Sequence, residues 1–450
     1  MNSYVQKVID DVKAKNPHEP EFIQAVEELL TSLSPVIDQN PAYEKADLLH
    51  RMVEPERMIT FRVVWTDDQG VVHTNKGWRC QFNGAIGPFK GGLRFQSNVC
   101  DSIIKFLAFE QTYKNALTGL PMGGGKGGSD FDPAGKSDAE IMRFCQSYMT
   151  ALYRFIGPNV DVPAGDMGVG AREIGYLFGQ YRRLKGNFEN GVITGKGLSY
   201  GGSLIRPEAT GYGAVYYLCE VLRHEHDTIK GKRIGVSGYG NVAWGIMKKA
   251  AKLGAKVTYI SGPDGYIHDE EGVITEEKLN YILEMRQKDP MHCRSYAEKF
   301  GCEFVEGEKF WGVSDVDIYM PAATQNDVNL DSAKKIAASG VKYYLEVANM
   351  PTTNEALAYL AKQEHMIIAP GKAVNAGGVG VSGLEMSQNS ERLQWTADDV
   401  DDQLRRMMIN IHEQSVKAAF EYGLGYNLMA GANIAGFIKV ADAMLAQGLF

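Results

Sequence analysis

Residues 233–243, RIGVSGYGNVA, decide the fold class of this chain. Arg233–Ser237 is a short apolar run that predicts a buried strand, and Gly238–Ala243 follows it as a GxGxxA turn. A helix is predicted to continue to Leu253, and KVTYI at residues 256–260 predicts a second strand. A strand, a turn, a helix and a strand in this order form the repeating unit of a doubly wound α/β sheet.

The turn in this unit is typical of a dinucleotide site, because its glycines let a pyrophosphate lie against N–H groups at a helix N-terminus. The candidate residues of the turn are Gly238, Gly240, Asn241, Val242 and Ala243. Asp264 follows about 20 residues later, where an acidic residue contacts the cofactor ribose. A flavodoxin-like unit that binds no nucleotide is the alternative interpretation.

Three further short strands are predicted, at residues 316–320, 343–347 and 366–369. Each is followed by small or polar residues, among them Thr324, Asn349 and Asn375. In a doubly wound sheet, ligands bind beyond the carboxyl ends of the strands. We therefore expect these polar side chains to gather at one binding site.

Three lysines lie in unusual surroundings between residues 84 and 132: Lys90, Lys114 and Lys126. Lys90 stands in GPFKGG and Lys126 in GGGKGG, where the absence of Cβ atoms lets a substrate approach both the backbone and the ammonium group. Three converging ammonium groups repel one another, which lowers the pKa of the most buried one. This arrangement suits a small dianion beside a lysine that acts as a base. Solvated lysines in flexible loops are the alternative, and the spacing excludes a nucleotide P-loop.

Asp166 is a candidate acid/base residue, because it follows a predicted strand that begins at Val160 and it is flanked by Gly165 and Gly168. The alternative is that Asp166 caps a helix that begins near Ala171. Elsewhere in the chain, helices are predicted over 22–33, 103–117, 138–155, 208–223 and 430–449, and strands over 58–65 and 71–82 form a hairpin. A change of composition near 199–202 predicts a hinge.

The composition is that of an ordinary globular protein of two or three domains, with 450 residues and a net charge of −8. Lys/Arg clusters are absent, which argues against nucleic acid as a partner. No uninterrupted apolar run reaches the length of a membrane span, and we expect no membrane association. Six scattered cysteines without CxxC spacing predict reduced thiols, no metal site and a cytoplasmic location.

Five motifs together resemble the bacterial hexameric glutamate dehydrogenases over essentially the whole chain. They are FKGGLR from Phe89, PMGGGKGG from Pro121, PAGD from Pro163, RPEATG from Arg206 and NAGGV from Asn375. The resemblance implies a substrate-binding and oligomerisation domain over residues 1–200 and a Rossmann-like domain over 201–424. It also implies a C-terminal helix, at about 425–450, that packs back on the first domain.

The resemblance also implies roles for single residues. Lys126 would activate water for attack on an iminium intermediate, and Asp166 would pass protons to and from the amino group. Lys114, Gln111 and the backbone at Gly165 would hold the α-carboxylate. Lys90 and Ser382 would hold the side-chain carboxylate. The residues that would contact the cofactor are Thr210, Asn241, Thr324, Asn349 and Asn375.

The implied reaction converts L-glutamate, water and oxidised nicotinamide reversibly into 2-oxoglutarate, ammonium and reduced nicotinamide. NAD and NADP both remain possible cofactors. Asp264 and the acidic run at 269–271 favour NAD, whereas Lys136 on the first domain is a candidate contact for the 2′-phosphate of NADP. A homohexamer is implied by the family alone. One alternative is a leucine, valine or phenylalanine dehydrogenase of the same superfamily, against which Lys90 argues. The other is a non-catalytic nucleotide-binding protein, against which Lys126 and Asp166 argue.

Overall fold

The strand–turn–helix–strand unit predicted at residues 233–260 is present in the computed structural model of the chain, which describes residues 1–289 and 291–448. The N-terminal helices are α1 (Ser3–Lys15), α2 (Pro20–Ser32), α3 (Ser34–Gln39), α4 (Pro41–Lys45) and α5 (Leu48–Met52). The first sheet and its helices follow as β1 (Arg57–Thr66), β2 (Val72–Asn83), β3 (Phe89–Phe95), α6 (Asp101–Leu117), β4 (Gly123–Ser129), α7 (Asp138–Leu152), β5 (Asp161–Gly165) and α8 (Ala171–Lys185).

The strands of the first sheet lie in the order β1-β2-β4-β3-β5. β1 and β2 form the predicted antiparallel hairpin, with Arg57 opposite Gln81. β4 runs antiparallel to β2 and parallel to β3, and β5 runs parallel to β3. The helix predicted over 138–155 is α7, and Ser137 caps it with a reciprocal bond to Glu140.

The glycine-rich segment around Lys126 is the buried central strand β4, so the alternative of a lysine in a flexible loop is wrong. Its glycines are required by close packing. A Cβ atom at Gly124 would stand 1.9 Å from Thr112 Oγ1 on α6, and one at Gly128 would stand 2.2 Å from the carbonyl oxygen of Arg94. Lys126 is therefore held on a rigid element rather than on a mobile one.

The second half of the chain forms the other sheet. Its elements are α9 (Ala209–His224), β6 (Arg233–Ser237), α10 (Asn241–Lys252), β7 (Lys256–Ser261), β8 (Gly265–His268), α11 (Glu276–Lys288), α12 (Arg294–Phe300), β9 (Glu303–Glu306), β10 (Ile318–Pro321), α13 (Leu330–Ala338), β11 (Tyr343–Leu345), α14 (Asn354–Leu360) and β12 (Ile367–Ala369). The C-terminal helices are α15 (Gly371–Val374), α16 (Gly377–Glu391), α17 (Ala397–Glu421) and α18 (Leu428–Gln447).

The second sheet has the order β12-β11-β10-β6-β7-β8-β9; neighbouring strands from β12 to β7 are parallel, and the β7–β8 and β8–β9 pairs are antiparallel. The connection order reverses at β6, because β7 lies on one side of it and β10 on the other. The crevice beyond the carboxyl ends of these strands is the binding position of doubly wound folds. It faces the first sheet, and the cavity described below lies between them.

Helix α18 returns to the N-terminal part of the chain. Its Ile434, Phe437 and Val440 share a core with α1, α2 and α6, and Tyr43 Oη donates to Asp442 Oδ1 at 2.8 Å. α18 is long and apolar enough to cross a bilayer. However, 56% of its most apolar 18-residue stretch is buried inside the protein, as in a core helix. Residues 449 and 450, at the end of the C-terminal helix that the resemblance implies, lie outside the described residues.

Candidate active site

A cavity of about 410 Å³ lies between the two sheets and is lined by residues from both. The predicted site residues that line it are Lys90, Gln111, Lys114, Lys126, Gly165, Asp166, Thr210, Val242, Thr324, Asn349, Asn375 and Ser382. The first six come from the first sheet and α6, and the others come from the second half of the chain. The fold thus brings together positions separated by up to nearly three hundred residues.

The predicted turn residues Gly238, Gly240, Asn241 and Ala243 lie beside this cavity rather than in its wall. Gly238 has a φ of +86°, a conformation that favours glycine. Gly240 is the N-cap of α10, with no side-chain cap and open space where its Cβ would stand. Within residues 1–289 and 291–448, no group accepts a hydrogen bond from the first N–H groups of α10, so they can bind a pyrophosphate and the turn fits a dinucleotide.

Asp264 lies in the β7–β8 loop and does not line the cavity. Its Oδ2 accepts hydrogen bonds from the backbone N–H groups of Cys293, at 2.9 Å, and Arg294, at 3.4 Å. In this conformation the carboxylate therefore orients the start of α12, and its ribose contact stays a prediction. Lys136 lies in a separate surface cavity of the first sheet, beside the turn of the β1–β2 hairpin.

Lys126 and Asp166 form an ion pair in the cavity, with Nζ 3.2 Å from Oδ2. The same oxygen accepts from Arg94 Nε at 2.9 Å. Burial lowers the pKa of Lys126, opposed by Asp166 and assisted by the positive charge of Arg94. Burial alone would raise the pKa of Asp166, but Lys126 and Arg94 hold it below its ordinary value. The pair therefore provides an ionised carboxylate beside an amine that gives up its proton more readily than a solvated lysine.

The alternative role of Asp166 as a helix cap is wrong. α8 begins at Ala171 and its N-cap is Gly170, whose N–H donates to Glu173 Oε2 at 2.8 Å. The carboxylate of Asp166 instead faces the cavity.

Lys114 lies on α6 and donates from Nζ to Asn349 Oδ1 at 2.9 Å. Burial lowers its pKa to about 8, although Glu110 opposes this effect. One turn earlier on α6, Gln111 Nε2 donates to Asn115 Oδ1 at 2.6 Å. The Asn115 amide in turn donates to the carbonyl oxygen of Lys90 at 3.0 Å, which fixes α6 against β3.

Lys90 is fully buried, and among the described residues no group accepts a hydrogen bond from its Nζ. The pKa of Lys90 lies well below its ordinary value, mainly because the side chain is buried and secondly because the positive charge of Arg206 is near. Arg206 Nε donates to Ser382 Oγ at 2.9 Å. Two cationic side chains and a hydroxyl thus line one end of the cavity, which is suited to a carboxylate.

Arg206 is a cavity residue that the sequence reasoning did not select. It belongs to the RPEATG motif, and an arginine beside a glycine-containing helix start was the available signal. Its relation to Ser382, 176 positions away, depends on the packing of α16 against α9.

Asn375 connects the strand ends of the second sheet to this cavity. Its Nδ2 donates to the Val347 carbonyl oxygen at 2.9 Å and to Asn349 Oδ1 at 3.0 Å. Its Oδ1 is buried and has no partner among the described residues, so it is available to a bound molecule. Asn349 Oδ1 therefore accepts hydrogen bonds from Asn375 and, across the cleft, from Lys114.

A doubly wound sheet with an open helix N-terminus, facing a cavity that contains the buried Lys90 and Lys126, the partly buried Lys114 and an aspartate, defines a dinucleotide-dependent amino-acid dehydrogenase. Comparison with known proteins agrees. The model of the Glutamate/Leucine/Phenylalanine/Valine dehydrogenase family matches residues 201–448, and that of the Glu/Leu/Phe/Val dehydrogenase dimerisation domain matches residues 55–183. The chain belongs to the Glu/Leu/Phe/Val dehydrogenase family.

Individual relatives are similar over their whole length. The NAD-specific glutamate dehydrogenase of Clostridium symbiosum is 64% identical, with 100% of both chains covered. The NADP-specific glutamate dehydrogenase of Salmonella typhimurium is 53% identical, covering 99% of this chain and 98% of that protein. A solved glutamate dehydrogenase structure matches with a TM-score of 0.99 at 64% identity over 100% of both chains. That of Plasmodium falciparum matches with a TM-score of 0.96 at 46% identity, covering 99% and 95%.

These relatives confirm the predicted fold class, the enzyme class and the prediction of a glutamate dehydrogenase that uses NAD or NADP.

Proposed function

We propose that the cleft converts L-glutamate, water and NAD⁺ reversibly into 2-oxoglutarate, ammonium, NADH and a proton, with Lys126 and Asp166 as the catalytic residues. The observation that carries this assignment is the convergence of Lys90, Lys114 and Lys126 on one cavity that also contains Asp166. Glutamate carries two carboxylates, and the cavity offers separate cationic groups for each of them.

The side-chain carboxylate of glutamate binds Lys90, Arg206 and Ser382. Lys90 is fully buried without an acceptor in the described part of the chain, so a carboxylate supplies the charge and the acceptor that it lacks. The apolar substrates of leucine, valine and phenylalanine dehydrogenases would leave this ammonium group unpaired. The choice of glutamate within the superfamily follows from that cost.

The α-carboxylate binds Lys114 and Gln111, together with the backbone at Gly165. Lys114 and Gln111 are three residues apart on α6 and line the same cavity. Lys114 already donates to Asn349, so it can hold a carboxylate while it bridges the two halves of the chain.

Lys126 acts as the base that activates water for attack on the iminium carbon, and Asp166 transfers protons to and from the amino group. The lowered pKa of Lys126 provides a neutral amine at a lower pH than a solvated lysine does. Arg94 holds Asp166 in place through a 2.9 Å hydrogen bond. The nicotinamide, when bound, supplies a hydride acceptor for the substrate Cα; the protein contributes position and charge.

Residues at the carboxyl ends of the second sheet would hold the dinucleotide. The turn at the N-terminus of α10, formed by Gly238, Gly240 and Asn241, would hold its pyrophosphate. Thr210, Val242, Thr324, Asn349 and Asn375 line the cavity on that side. The free Oδ1 of Asn375 is suited to positioning cofactor and substrate together.

NAD is the preferred cofactor in this proposal. The support is Asp264 in the β7–β8 loop and the NAD-specific relative from C. symbiosum. Two cations do lie near this loop, but each has an acidic partner: Lys309 is 3.5 Å from Asp327, and Arg294 is 2.7 Å from Glu306. These acidic partners offset part of the positive charge that a 2′-phosphate would need.

The chain divides, in this proposal, into a substrate-binding and assembly domain (1–200) and a Rossmann-like domain (201–424), with the C-terminal helix returning to the first. The matched families over 55–183 and 201–448 support this division. We assign a cytoplasmic homohexamer, in which closure of the two domains excludes water from the cleft.

Steady-state kinetics of the purified protein test these assignments. We expect glutamate-dependent reduction of NAD, with a higher kcat/KM for NAD than for NADP. A higher value for NADP would reverse the cofactor preference, and absence of glutamate-dependent reduction with either cofactor would reject the function. Light scattering should give a hexamer; the monomer mass of 49.6 kDa at working concentration would contradict that assignment.

A further inference from the structure

A second, much smaller cavity, of about 30 Å³, adjoins the catalytic cleft. Lys114 and Asn349 line both cavities, so their 2.9 Å hydrogen bond lies in the wall between them. About 10–15 Å³ of such space holds one water molecule, so the cavity has room for a ligand of about the size of one or two water molecules.

The walls of this cavity are rich in carboxylates: Glu28 from α2, Glu110 from α6 and Glu346 after β11. Lys372 is the other basic residue besides Lys114. Lys372 Nζ is already committed, because it lies 3.4 Å from Glu28 Oε1 and donates to Asn433 Oδ1 at 2.7 Å. Lys114 donates to Asn349, and the charge of Glu110 opposes the lowering of its pKa. Three carboxyl groups thus face two lysines in this cavity.

One carboxylate oxygen of Glu346 lacks a hydrogen-bond donor in the described part of the chain. The residue is only 6% exposed, and its Oε1 is buried without any hydrogen-bond partner in the described part of the chain. Its Oε2 accepts a long bond, 3.3 Å, from the Gly371 N–H, and the neighbouring Thr352 hydroxyl lowers the pKa of this carboxyl group. Burial raises the pKa of Glu346 to about 7. A buried carboxylate oxygen without a donor carries a large desolvation cost, which a small cation would offset.

Ammonium fits these observations better than a metal ion. It is nearly the size of water and carries four N–H donors. Within residues 1–289 and 291–448, no group of His, Cys, Asp and Glu side chains has the arrangement of a metal site. The catalytic cleft itself is unfavourable to a free cation, because Lys90, Lys126 and Arg206 line it. An acidic cavity beside that cleft would concentrate a cationic substrate that the cleft repels.

We propose that this small cavity binds ammonium, with Glu346 and Glu110 as its acceptors, and that it exchanges ammonium with the catalytic cleft past the Lys114–Asn349 contact. This inference rests on the proposed function, in which ammonium is the product of one direction and the substrate of the other. Glu346 and Glu110 are binding residues for ammonium here and take no part in the chemistry at Cα.

The test is the reductive reaction catalysed by the full-length Glu346→Gln variant. The substitution keeps the side-chain shape and removes the negative charge. We expect the KM for ammonium chloride to rise about tenfold, because the variant loses one charge-assisted hydrogen bond to ammonium. The KM values for 2-oxoglutarate and NADH should stay within about twofold, as for a change remote from their sites. Glu355→Gln, an exposed carboxylate on α14, is the matched control and should leave all three values unchanged.

Glu110→Gln provides a second variant in case Glu346→Gln does not fold, and the same rise in the ammonium KM is expected. Unchanged ammonium KM values in the folded variants would overturn the inference, as would an equal rise in the KM for 2-oxoglutarate, which indicates general distortion. Potassium chloride should compete with ammonium in the unsubstituted protein, with choline chloride as the ionic-strength control. Activation by potassium through Glu346 would reassign the cavity to potassium. A protein without any glutamate-dependent activity would reject the proposed function itself, a result distinct from these.

Discussion

Lys126 Nζ lies 3.2 Å from Asp166 Oδ2, although the two residues are 40 positions apart and are positioned by different strands of the first sheet. Lys126 projects from the central strand β4, and Asp166 follows the end of β5. Arg94, on β3 between them, donates to the same carboxylate oxygen. One amine, one carboxylate and one fixed cation are thus held by adjacent strands, and the protonation of each depends on the other two.

Replacing Lys126 tests the proposed base. Lys126→Ala should lower kcat for glutamate by about 10²–10⁴, the usual contribution of a positioned acid/base group. The dissociation constant for NADH, measured by fluorescence titration, should remain close to that of the unsubstituted protein. Near-normal turnover would show that another group activates water.

Asp166→Asn should lose activity in a folded protein, because α8 is capped by Gly170 and does not need the Asp166 side chain. Circular dichroism and kcat measured on the same sample distinguish loss of catalysis from loss of the fold. Loss of fold along with activity would restore a structural role for this carboxylate.

Arg94→Gln should shift the pH dependence of catalysis. Arg94 lowers the pKa of Lys126 by like-charge repulsion, so its removal raises that pKa. The neutral amine then forms at higher pH, and the ascending limb of kcat/KM against pH should move upward by on the order of one unit. Arg183→Gln, at an exposed position on α8, is the control and should leave the profile in place. A limb that moves to lower pH would contradict the assignment of Lys126.

Lys90→Leu tests the choice of substrate. Glutamate turnover should fall severely, because its side-chain carboxylate loses the buried ammonium group. Norleucine and methionine should gain modest activity, since each methylene in an apolar pocket contributes only ~1–3 kcal/mol. The measurement is kcat/KM for glutamate and norleucine in both proteins, and the gained activity itself shows that the variant is folded. A retained preference for glutamate would remove Lys90 from the side-chain site.

Gly124→Ala tests the close packing of β4 against α6. The new Cβ would stand 1.9 Å from Thr112 Oγ1, so α6, which also carries Lys114, must shift. We expect the free energy of unfolding to fall by about 1–3 kcal/mol, as for overpacking elsewhere, and the KM for glutamate to rise. Gly179→Ala, on the exposed face of α8 with no atom within 4 Å of the new Cβ, should be neutral or stabilising. Equal effects of the two substitutions would contradict this packing argument.

Lys196→Met tests the buried ion pair that ties residues 193–197 to α16. Lys196 Nζ lies 2.7 Å from Glu385 Oε1, and both side chains are fully buried. Removing one partner leaves an uncompensated buried charge, so the free energy of unfolding in urea should fall by about 3–5 kcal/mol. Lys13→Met, in an exposed pair with Glu27, should leave the urea midpoint nearly unchanged. A similar midpoint for both variants would show that Glu385 finds another partner.

The sequence by itself determined the local elements and the class of site. The β1–β2 hairpin, helix α7 and the strand–turn–helix unit at Gly238 all follow from patterns within about 20–30 residues, because hydrophobic periodicity and turn signals act over that range. Glycine-flanked lysines likewise pointed to Lys90 and Lys126 before any fold was known. The glycines that flank these lysines are neighbours in the chain, so the sequence alone is sufficient to indicate them.

Only the tertiary structure decided what each side chain faces. It places Lys126 on a buried central strand rather than in a loop, joins Arg206 to Ser382, and engages Asp264 with the start of α12. It also brings Glu28, Glu110 and Glu346 from three distant segments to one small cavity. A hydrophobic period shows which face of an element is buried but not what buries it, and the charge balance of a site is set by groups that only packing brings together.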